Sequence, residues 1–143
     1  MKIQSITITP DQLLLDPNNY RFHDLSGYKR VTRTRYAEPG VQDRALAFLK
    51  ETTTFDLGAL RDSIRSNGFV PFEQIVVEKY PTDDGLQKYV VIEGNRRTAA
   101  VKTLLADNVG GALDLSDKTL DSIQQFDVLE LIGTEEERAS YQK

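Results

Sequence analysis

Apolar and polar positions alternate, or recur at helical spacing, along most of the chain. Residues 3–8 alternate between polar and apolar side chains, a pattern typical of a strand, and Pro10 ends it. Runs of β-branched residues predict further strands, two of which are joined by a turn-rich hairpin loop at 81–85. The predicted strands cover residues 3–8, 74–80, 88–92 and 126–132.

Helical spacing of apolar residues fills the intervals between these strands. One helix has Asp56 as its predicted N-cap and Asn67-Gly68 as its stop signal. The predicted helices cover residues 41–50, 57–67, 95–106 and 118–123. A further helix opens at Thr134, with Glu137 in a capping-box position, and has barely two turns before Lys143. Such a short ending is compatible with a fragment of a longer protein.

The segment between the first strand and the first helix lacks a clear period. Residues 11–15 predict a short apolar turn, and Asp16-Pro17-Asn18-Asn19 is a strong loop signal. Residues 20–40 are polar and irregular and predict a long exposed loop. Loops of this length in compact domains are commonly functional or mobile.

The order of elements predicts an α+β or α/β fold with a small mixed sheet flanked by helices. The chain has 143 residues, which fits a single domain over 1–143 with its core over about 3–132. It contains no cysteine, which excludes disulfides, thiolate metal sites and cysteine nucleophiles. His23 is the one histidine, so a multi-histidine metal site is excluded as well.

Charge and hydropathy narrow the class of partner. The net charge is −4, so any surface that binds DNA electrostatically must be a local basic patch. No apolar run approaches the roughly 18 residues of a membrane span, and the N-terminus has no signal-peptide pattern. We therefore expect a cytoplasmic protein without membrane contact.

The sharpest local feature is the sequence Glu-Gly-Asn-Arg-Arg between a predicted strand and a predicted helix. Gly94 permits a tight turn and a close approach of the backbone to a ligand, and Asn95 is a favourable N-cap. Arg96 and Arg97 then stand in the first helical turn, where the helix dipole disfavours cations. Two arginines there are explained if an anion binds at the helix N-terminus. Alternatively, both are solvated or pair with carboxylates such as Glu93.

Three segments in this order resemble the ParB/sulfiredoxin superfamily. They read LLLDPNNYR (13–21), LRDSIRSNGFVPFEQIVVE (60–78) and YVVIEGNRRTAAVKTLL (89–105). The resemblance implies a ParB/sulfiredoxin-like fold and a nucleotide site whose phosphates contact Gly94, Asn95, Arg96 and Arg97. It also places Arg21, Ser63 and Gly68 near the ligand. From the residues alone, Arg21 is equally a solvated loop residue, Ser63 a polar-face residue and Gly68 a C-cap glycine.

Departures from the family limit what carries over. Sulfiredoxins have Gly-Cys-His-Arg in this box, so the lack of cysteine rules out their reductase activity. ParB proteins usually have Gly-Glu-Arg-Arg, and Asn95 in place of the glutamate brings metal handling and hydrolysis into question more than binding. The ParB pattern Gln-Pro is interrupted at 69–74, so base specificity does not transfer. Neither the family's later Asn-x-x-Arg segment nor its helix-turn-helix domain has a counterpart before Lys143.

A second group of basic residues lies in the long loop. Lys29, Arg30, Arg33 and Arg35 stand among tyrosines, a combination that can contact nucleic acid. The alternative is an ordinary solvated loop.

The resemblance thus implies a ParB-like module of a DNA-associated protein in partition, phage defence or mobile-element control. It would bind CTP or ATP, with Mg²⁺ if the ligand is a triphosphate. The alternatives are a DNA-binding domain, or a nuclease or nucleotide hydrolase with Glu93 as its candidate catalytic residue. DNA, bound through regions outside this chain, and a second copy in a homodimer are further expected partners.

Overall fold

The computed structural model describes residues 2–51, 56–69, 74–82 and 85–133. Within these ranges the chain forms five strands, four α-helices and three short 3-10 turns. The strands are β1 (Lys2–Ile8), β2 (Leu13–Leu14), β3 (Val76–Tyr80), β4 (Lys88–Glu93) and β5 (Phe126–Ile132). The helices are α1 (Pro39–Glu51), α2 (Leu57–Asn67), α3 (Asn95–Val109) and α4 (Asp117–Gln124). The 3-10 turns are Pro10–Gln12, Tyr20–Phe22 and Arg33–Arg35.

All five strands join one mixed sheet in the order β1-β5-β3-β4-β2. The outer pair β1 and β5 is antiparallel, β5 and β3 are parallel, and β3 and β4 are antiparallel. The short strand β2 adds to β4 in parallel, with Leu13 opposite Tyr89 and Leu14 opposite Val90. Because β2 and β4 are parallel, their C-terminal ends lie side by side, and the chain leaves both strands at the same end of the sheet.

The two faces of the sheet are covered differently. The larger apolar cluster joins Val77, Val91 and Val128 of the sheet to buried residues of all four helices. On the other face, Leu14, Tyr80 and Val90 form a small cluster, and Tyr36 of the irregular segment packs against it. The fold is therefore α+β, with the helices on one side of a five-stranded sheet and Tyr36 of the irregular segment on the other.

Most predicted elements are confirmed; one strand was missed, two elements begin elsewhere than predicted, and α3 extends to Val109 rather than 106. The sequence predicts the residues of β2 only as part of a turn, because a two-residue strand is too short to show an alternating pattern. Strand β3 begins at Val76 rather than at 74. Helix α1 begins at Pro39, inside the predicted loop, because proline suits the first turn of a helix, where no amide donor is needed. The predicted hairpin residues Asp83 and Asp84 and the helix from Thr134 lie outside the described residues.

The predicted ends of α2 agree with the structure only in part. Gly68 ends the helix with a positive φ of 78°, and its N–H donates to the carbonyl of Ile64 at 2.8 Å. Asp56 stands at the N-cap position, but its side chain accepts no capping hydrogen bond and its φ is 46°. Asp56 therefore occupies the predicted N-cap position, but the predicted capping hydrogen bond is wrong.

The segment predicted as a long exposed loop is anchored to the core. Phe22 is 0% exposed, and its ring packs against Phe48 of α1 with the centroids 5.4 Å apart. Short 3-10 turns shape the segment on either side of Gly27, and most of its remaining side chains are exposed. Within the described ranges, no helix is long and apolar enough to cross a membrane.

Candidate functional site

A cleft of about 630 Å³ opens where β2 and β4 leave the sheet. Its volume lies within the range of small-molecule sites. We call it the arginine cleft, because three arginines are among the described residues that line it. These residues are Asn19, Tyr20, Arg21, Leu49, Gln74, Ile92, Glu93, Gly94, Asn95, Arg96 and Arg97. We call residues 93–97 its turn wall and residues 19–21 its loop wall.

The turn wall depends on a glycine at its sharpest point. Gly94 has a φ of 105°, a conformation that side-chain-bearing residues rarely adopt. A Cβ added there would lie 2.9 Å from Cγ1 and 3.3 Å from Cα of Ile75. The Gly94 carbonyl accepts from the amide of Thr98 at 2.9 Å, which starts α3. Conformation and close approach both require glycine, so the chain can pass from β4 into α3 without a longer loop.

Asn95 bonds the segment that leads into the loop wall instead of capping the helix, so the predicted N-cap role is wrong. Gly94 holds the N-cap position, and Asn95 is the first helical residue, 6% exposed. Its Oδ1 accepts from the amide of Asp16 at 2.8 Å, and its Nδ2 donates to the carbonyl of Asp16 at 2.9 Å. The side-chain amide of Asn95 thus bonds the main chain of Asp16 as a peptide group of a neighbouring strand would. A phosphate contact from Asn95 would therefore involve its backbone amide.

The arginines of the turn wall lie where a helix attracts anions. The amides of a first helical turn have no intrahelical acceptor, and the dipole adds partial positive charge at that end. Arg96 and Arg97 add two guanidinium groups that can each bind an anion in a bidentate manner. The guanidinium of Arg97 lies 5.7 Å from the ring centroid of Phe69, which packs in turn on Phe126 at 4.7 Å. The guanidinium of Arg97 thus lies against an aromatic pair.

Arg21 brings the third positive charge from the loop wall. Its Nε donates to the Tyr20 hydroxyl at 3.2 Å, and its guanidinium carbon lies 5.7 Å from that ring centroid. Its amide donates to Oδ1 of Asn19 at 3.0 Å, which shapes the 3-10 turn. The cleft therefore has cations on both walls, and Leu49 and Ile92 contribute apolar lining.

Side-chain amides hold the segment that leads into the loop wall. The Oδ1 of Asn18 accepts from the Val31 amide at 2.8 Å and from the Tyr28 hydroxyl at 3.1 Å. Its Nδ2 donates to the Val31 carbonyl at 2.7 Å and to the Tyr36 hydroxyl at 3.0 Å. Gln42 of α1 likewise bonds both the amide and the carbonyl of Leu15, at 2.7 and 2.9 Å.

Asp16 carries an acidic group in this segment. Burial raises the pKa of its carboxyl group, against the opposing effect of a hydrogen bond from the Asn18 amide. That bond is 2.9 Å long, and the positive charge of Arg33 acts in the same direction as the bond. The carboxyl group of Asp16 therefore accepts a hydrogen bond that stabilises the loop, while its burial disfavours the charged form.

The basic residues of the long loop lie outside the described lining of the cleft. Arg33 pairs with Glu78, whose side chain is 1% exposed, and its guanidinium lies 5.8 Å from the ring centroids of Tyr36 and Tyr80. Arg35 pairs with Glu38 at the surface. Lys29 and Arg30 are exposed. Of the four predicted nucleic-acid candidates, Arg33 thus has a structural role in covering the second face of the sheet.

Ser63 and Gly68 are also not among the described residues lining the cleft. Ser63 is exposed on α2, as its place on the polar side predicts. A Cβ added to Gly68 would lie 3.4 Å from Oγ of Ser122, and that hydroxyl accepts from the amide of Phe69 at 2.9 Å. Gly68 therefore lies beside the aromatic pair next to Arg97, one step removed from the cleft.

Metal binding has little support from protein groups in the part of the chain that the structure describes. No three His, Cys, Asp or Glu residues cluster there closely enough to hold an ion. Glu93 is the one carboxylate among the described lining residues of the cleft. A magnesium ion at this site would depend on oxygens of its ligand, as is common for Mg²⁺ bound with phosphates.

Sequence reasoning missed several residues that line or shape the cleft. Asn19, Tyr20 and Gln74 line it, and Phe69 lies against Arg97. The signal for Tyr20 was its position next to Arg21 in a segment already marked as a loop. Gln74 and Phe69 had no comparable signal, because both lie near the ends of predicted elements. Comparisons of the chain with protein-family models, with curated proteins and with solved structures give no match.

Proposed function

We propose that this chain is a nucleotide-binding module with a ParB/sulfiredoxin-like fold, and that its ligand's phosphates bind in the arginine cleft. One observation carries the proposal. Arg96 and Arg97, at the N-terminal end of a 15-residue helix, line the same cleft as Arg21 on the facing wall. Three cations and a helix N-terminus around a cleft of ligand size favour a ligand with several negative charges.

The resemblance of three segments to ParB proteins selects CTP or ATP among such ligands. Two of those segments supply the walls of the cleft: residues 13–21 contain the loop wall, and residues 89–105 contain the turn wall. Magnesium would accompany a triphosphate, and Glu93 is the carboxylate among the described residues that line the cleft. The proposed context is a cytoplasmic DNA-associated system, by analogy with the family alone.

The test is titration calorimetry of the purified chain with CTP, ATP and GTP, each with and without Mg²⁺. We expect saturable binding of at least one nucleotide. Arg96→Ala should weaken it by about tenfold or more, because a charge-assisted hydrogen bond contributes roughly 1.5–3 kcal/mol. Arg65→Ala is the matched control, since Arg65 is exposed on α2 and is not among the described lining residues. Binding that both variants retain would contradict the proposal.

A second candidate function is nucleic-acid binding, which the exposed Lys29 and Arg30 favour. Phosphate contacts to a polymer release counterions, so DNA affinity would fall steeply with salt. A salt slope that becomes shallower in a Lys29→Ala/Arg30→Ala double variant would support it. Turnover of a bound nucleotide is a separate question, which Glu93→Gln addresses: an enzyme would lose turnover while retaining binding.

A further inference from the structure

Tyr20 is a large aromatic residue left in solvent at the mouth of the arginine cleft. It is 70% exposed, and it is the aromatic residue among the exposed large hydrophobic residues that the structure describes. Other tyrosines stack on rings of the protein itself: Tyr36 on the buried Tyr80 at 5.9 Å, and Tyr28 on His23 at 4.8 Å. An aromatic ring of this size gains free energy when it is covered, so a ligand in the cleft that covered the Tyr20 ring would bind more tightly.

The position of Tyr20 is fixed by its neighbours. The 3-10 turn Tyr20–Phe22 places Tyr20 outside and Phe22 inside the core, where Phe22 packs on Phe48. The Asn19 side chain accepts from the Arg21 amide, which holds the turn closed. The ring of Tyr20 therefore lies on the loop wall and does not pack into the core.

Arg21 complements the Tyr20 ring. Its guanidinium lies near the ring and donates to the hydroxyl, so a planar π surface and a planar cation stand side by side. Nucleobases stack on tyrosine rings and on arginine planes in the same way. The opposite wall of the cleft holds Arg96 and Arg97, which suit phosphate.

We propose that Tyr20 is the base-stacking residue of this cleft, with the phosphates of the same nucleotide at Arg96 and Arg97. This inference rests on the proposed function and deepens it, because it distinguishes a nucleotide from a phosphate compound without a base. Stacking uses the π face that every base has, so discrimination among bases at this residue is weak. Tyr20 then contributes affinity for the nucleoside part, and the turn wall contributes affinity for the phosphates.

The experiment compares ATP with inorganic triphosphate as ligands of the full chain, by calorimetry at one salt concentration. Tyr20→Ala should weaken ATP binding by about tenfold, the effect typical of losing one base–aromatic stack. Its effect on triphosphate binding should be several-fold smaller. Tyr20→Phe keeps the ring and should bind ATP more tightly than Tyr20→Ala does, whereas Arg96→Ala should weaken both ligands. Val109→Ala removes an exposed apolar side chain outside the described lining and serves as the control.

The outcomes separate this inference from the function on which it rests. If the wild type binds ATP and Tyr20→Ala binds it equally well, the stacking role is wrong and the nucleotide site stands. If Tyr20→Ala weakens ATP and triphosphate to the same degree, Tyr20 shapes the wall rather than contacting the base, which also overturns the inference. If the wild type binds neither ligand and binds no CTP or GTP in the titrations described above, the proposed function fails together with it. Circular dichroism of each variant confirms that the fold is retained.

Discussion

The two walls of the arginine cleft differ in what holds them in place. The turn wall continues directly from β4 into α3, and buried residues such as Ala99 and Leu104 anchor that helix in the main core. The loop wall follows a two-residue strand; Phe22 anchors one end of it in the core, and side-chain amides of Asn18, Gln42 and Asn95 hold the segment that leads into it. Backbone ladders and apolar packing cooperate over many residues, whereas each amide is a single point of support. Damage to the turn wall should therefore reach the whole fold, and damage to the loop wall should remain local.

The largest effect is expected for Gly94→Ala. The new Cβ would meet Ile75 in a backbone conformation that alanine rarely adopts. We expect a loss of roughly 2–3 kcal/mol in the free energy of unfolding, from the positive φ and the close contact together. Chemical denaturation measures it. Gly40→Ala in α1 is the matched control, since a Cβ added to Gly40 would meet nothing within 4 Å, and it should be neutral or stabilising. Equal stability of Gly94→Ala and wild type would contradict a strained turn.

A smaller and more local effect is expected for Asn95→Ala. The variant removes both hydrogen bonds to the main chain of Asp16 and should cost about 1–3 kcal/mol. Hydrogen exchange of amides in residues 16–22 should accelerate by tenfold or more, about the factor that corresponds to 1.4 kcal/mol of local stability. Exchange in β4 and in the later turns of α3 should change little.

Asn108→Ala provides the matched control for that measurement. Its Oδ1 accepts from the amide of Leu115 at 3.0 Å, at the far end of α3. Its loss should lower stability without accelerating exchange in residues 16–22. If both asparagine variants accelerated exchange equally throughout the chain, the two walls would not be separable units.

The smallest effect is expected for Asp16→Asn. Burial raises the pKa of Asp16 in the folded state, so the folded protein binds that proton more tightly than the unfolded chain does. The associated stability is present below the unfolded pKa and is lost as the pH rises through the folded pKa. Asparagine avoids this loss, so the variant should be more stable than wild type at pH 7. Thermal melts at pH 7 and pH 3 should show the advantage shrinking in acid; an advantage that grows in acid would refute the assigned cause.

The contrast between the walls also explains what the sequence could reveal. The strand, turn and helix of the turn wall follow from local rules: β-branched residues at 88–92, a glycine, and helical spacing after it. The loop wall depends on bonds such as that between Asn95 and Asp16, which are 79 positions apart. No periodicity encodes such a contact. The polar residues were visible as a loop, but their partners became known only in three dimensions.

Sequence patterns likewise do not show which charged residues have partners far away in the chain. Arg33 in a tyrosine-rich loop has the same local appearance as Arg30, yet it pairs with the buried Glu78 of β3. Conversely, the arginines of the turn wall were recognisable because two cations in a first helical turn contradict a local preference. Local sequence preferences therefore point to residues that violate them. They do not reveal residues whose partners lie far away in the sequence.

The short parallel pairing of β2 with β4 has a consequence for the order of folding. It brings together segments separated by α1, α2 and β3, so the chain must close a long loop for two rungs of strand pairing and a few side-chain hydrogen bonds, such as those of Asn95, Lys88 and Lys102. Contacts with so large a closure cost and so few bonds form late and open early. The cleft should thus be completed after the helices have packed on the sheet. A molecule that spans both walls should then slow unfolding while leaving the refolding rate nearly unchanged.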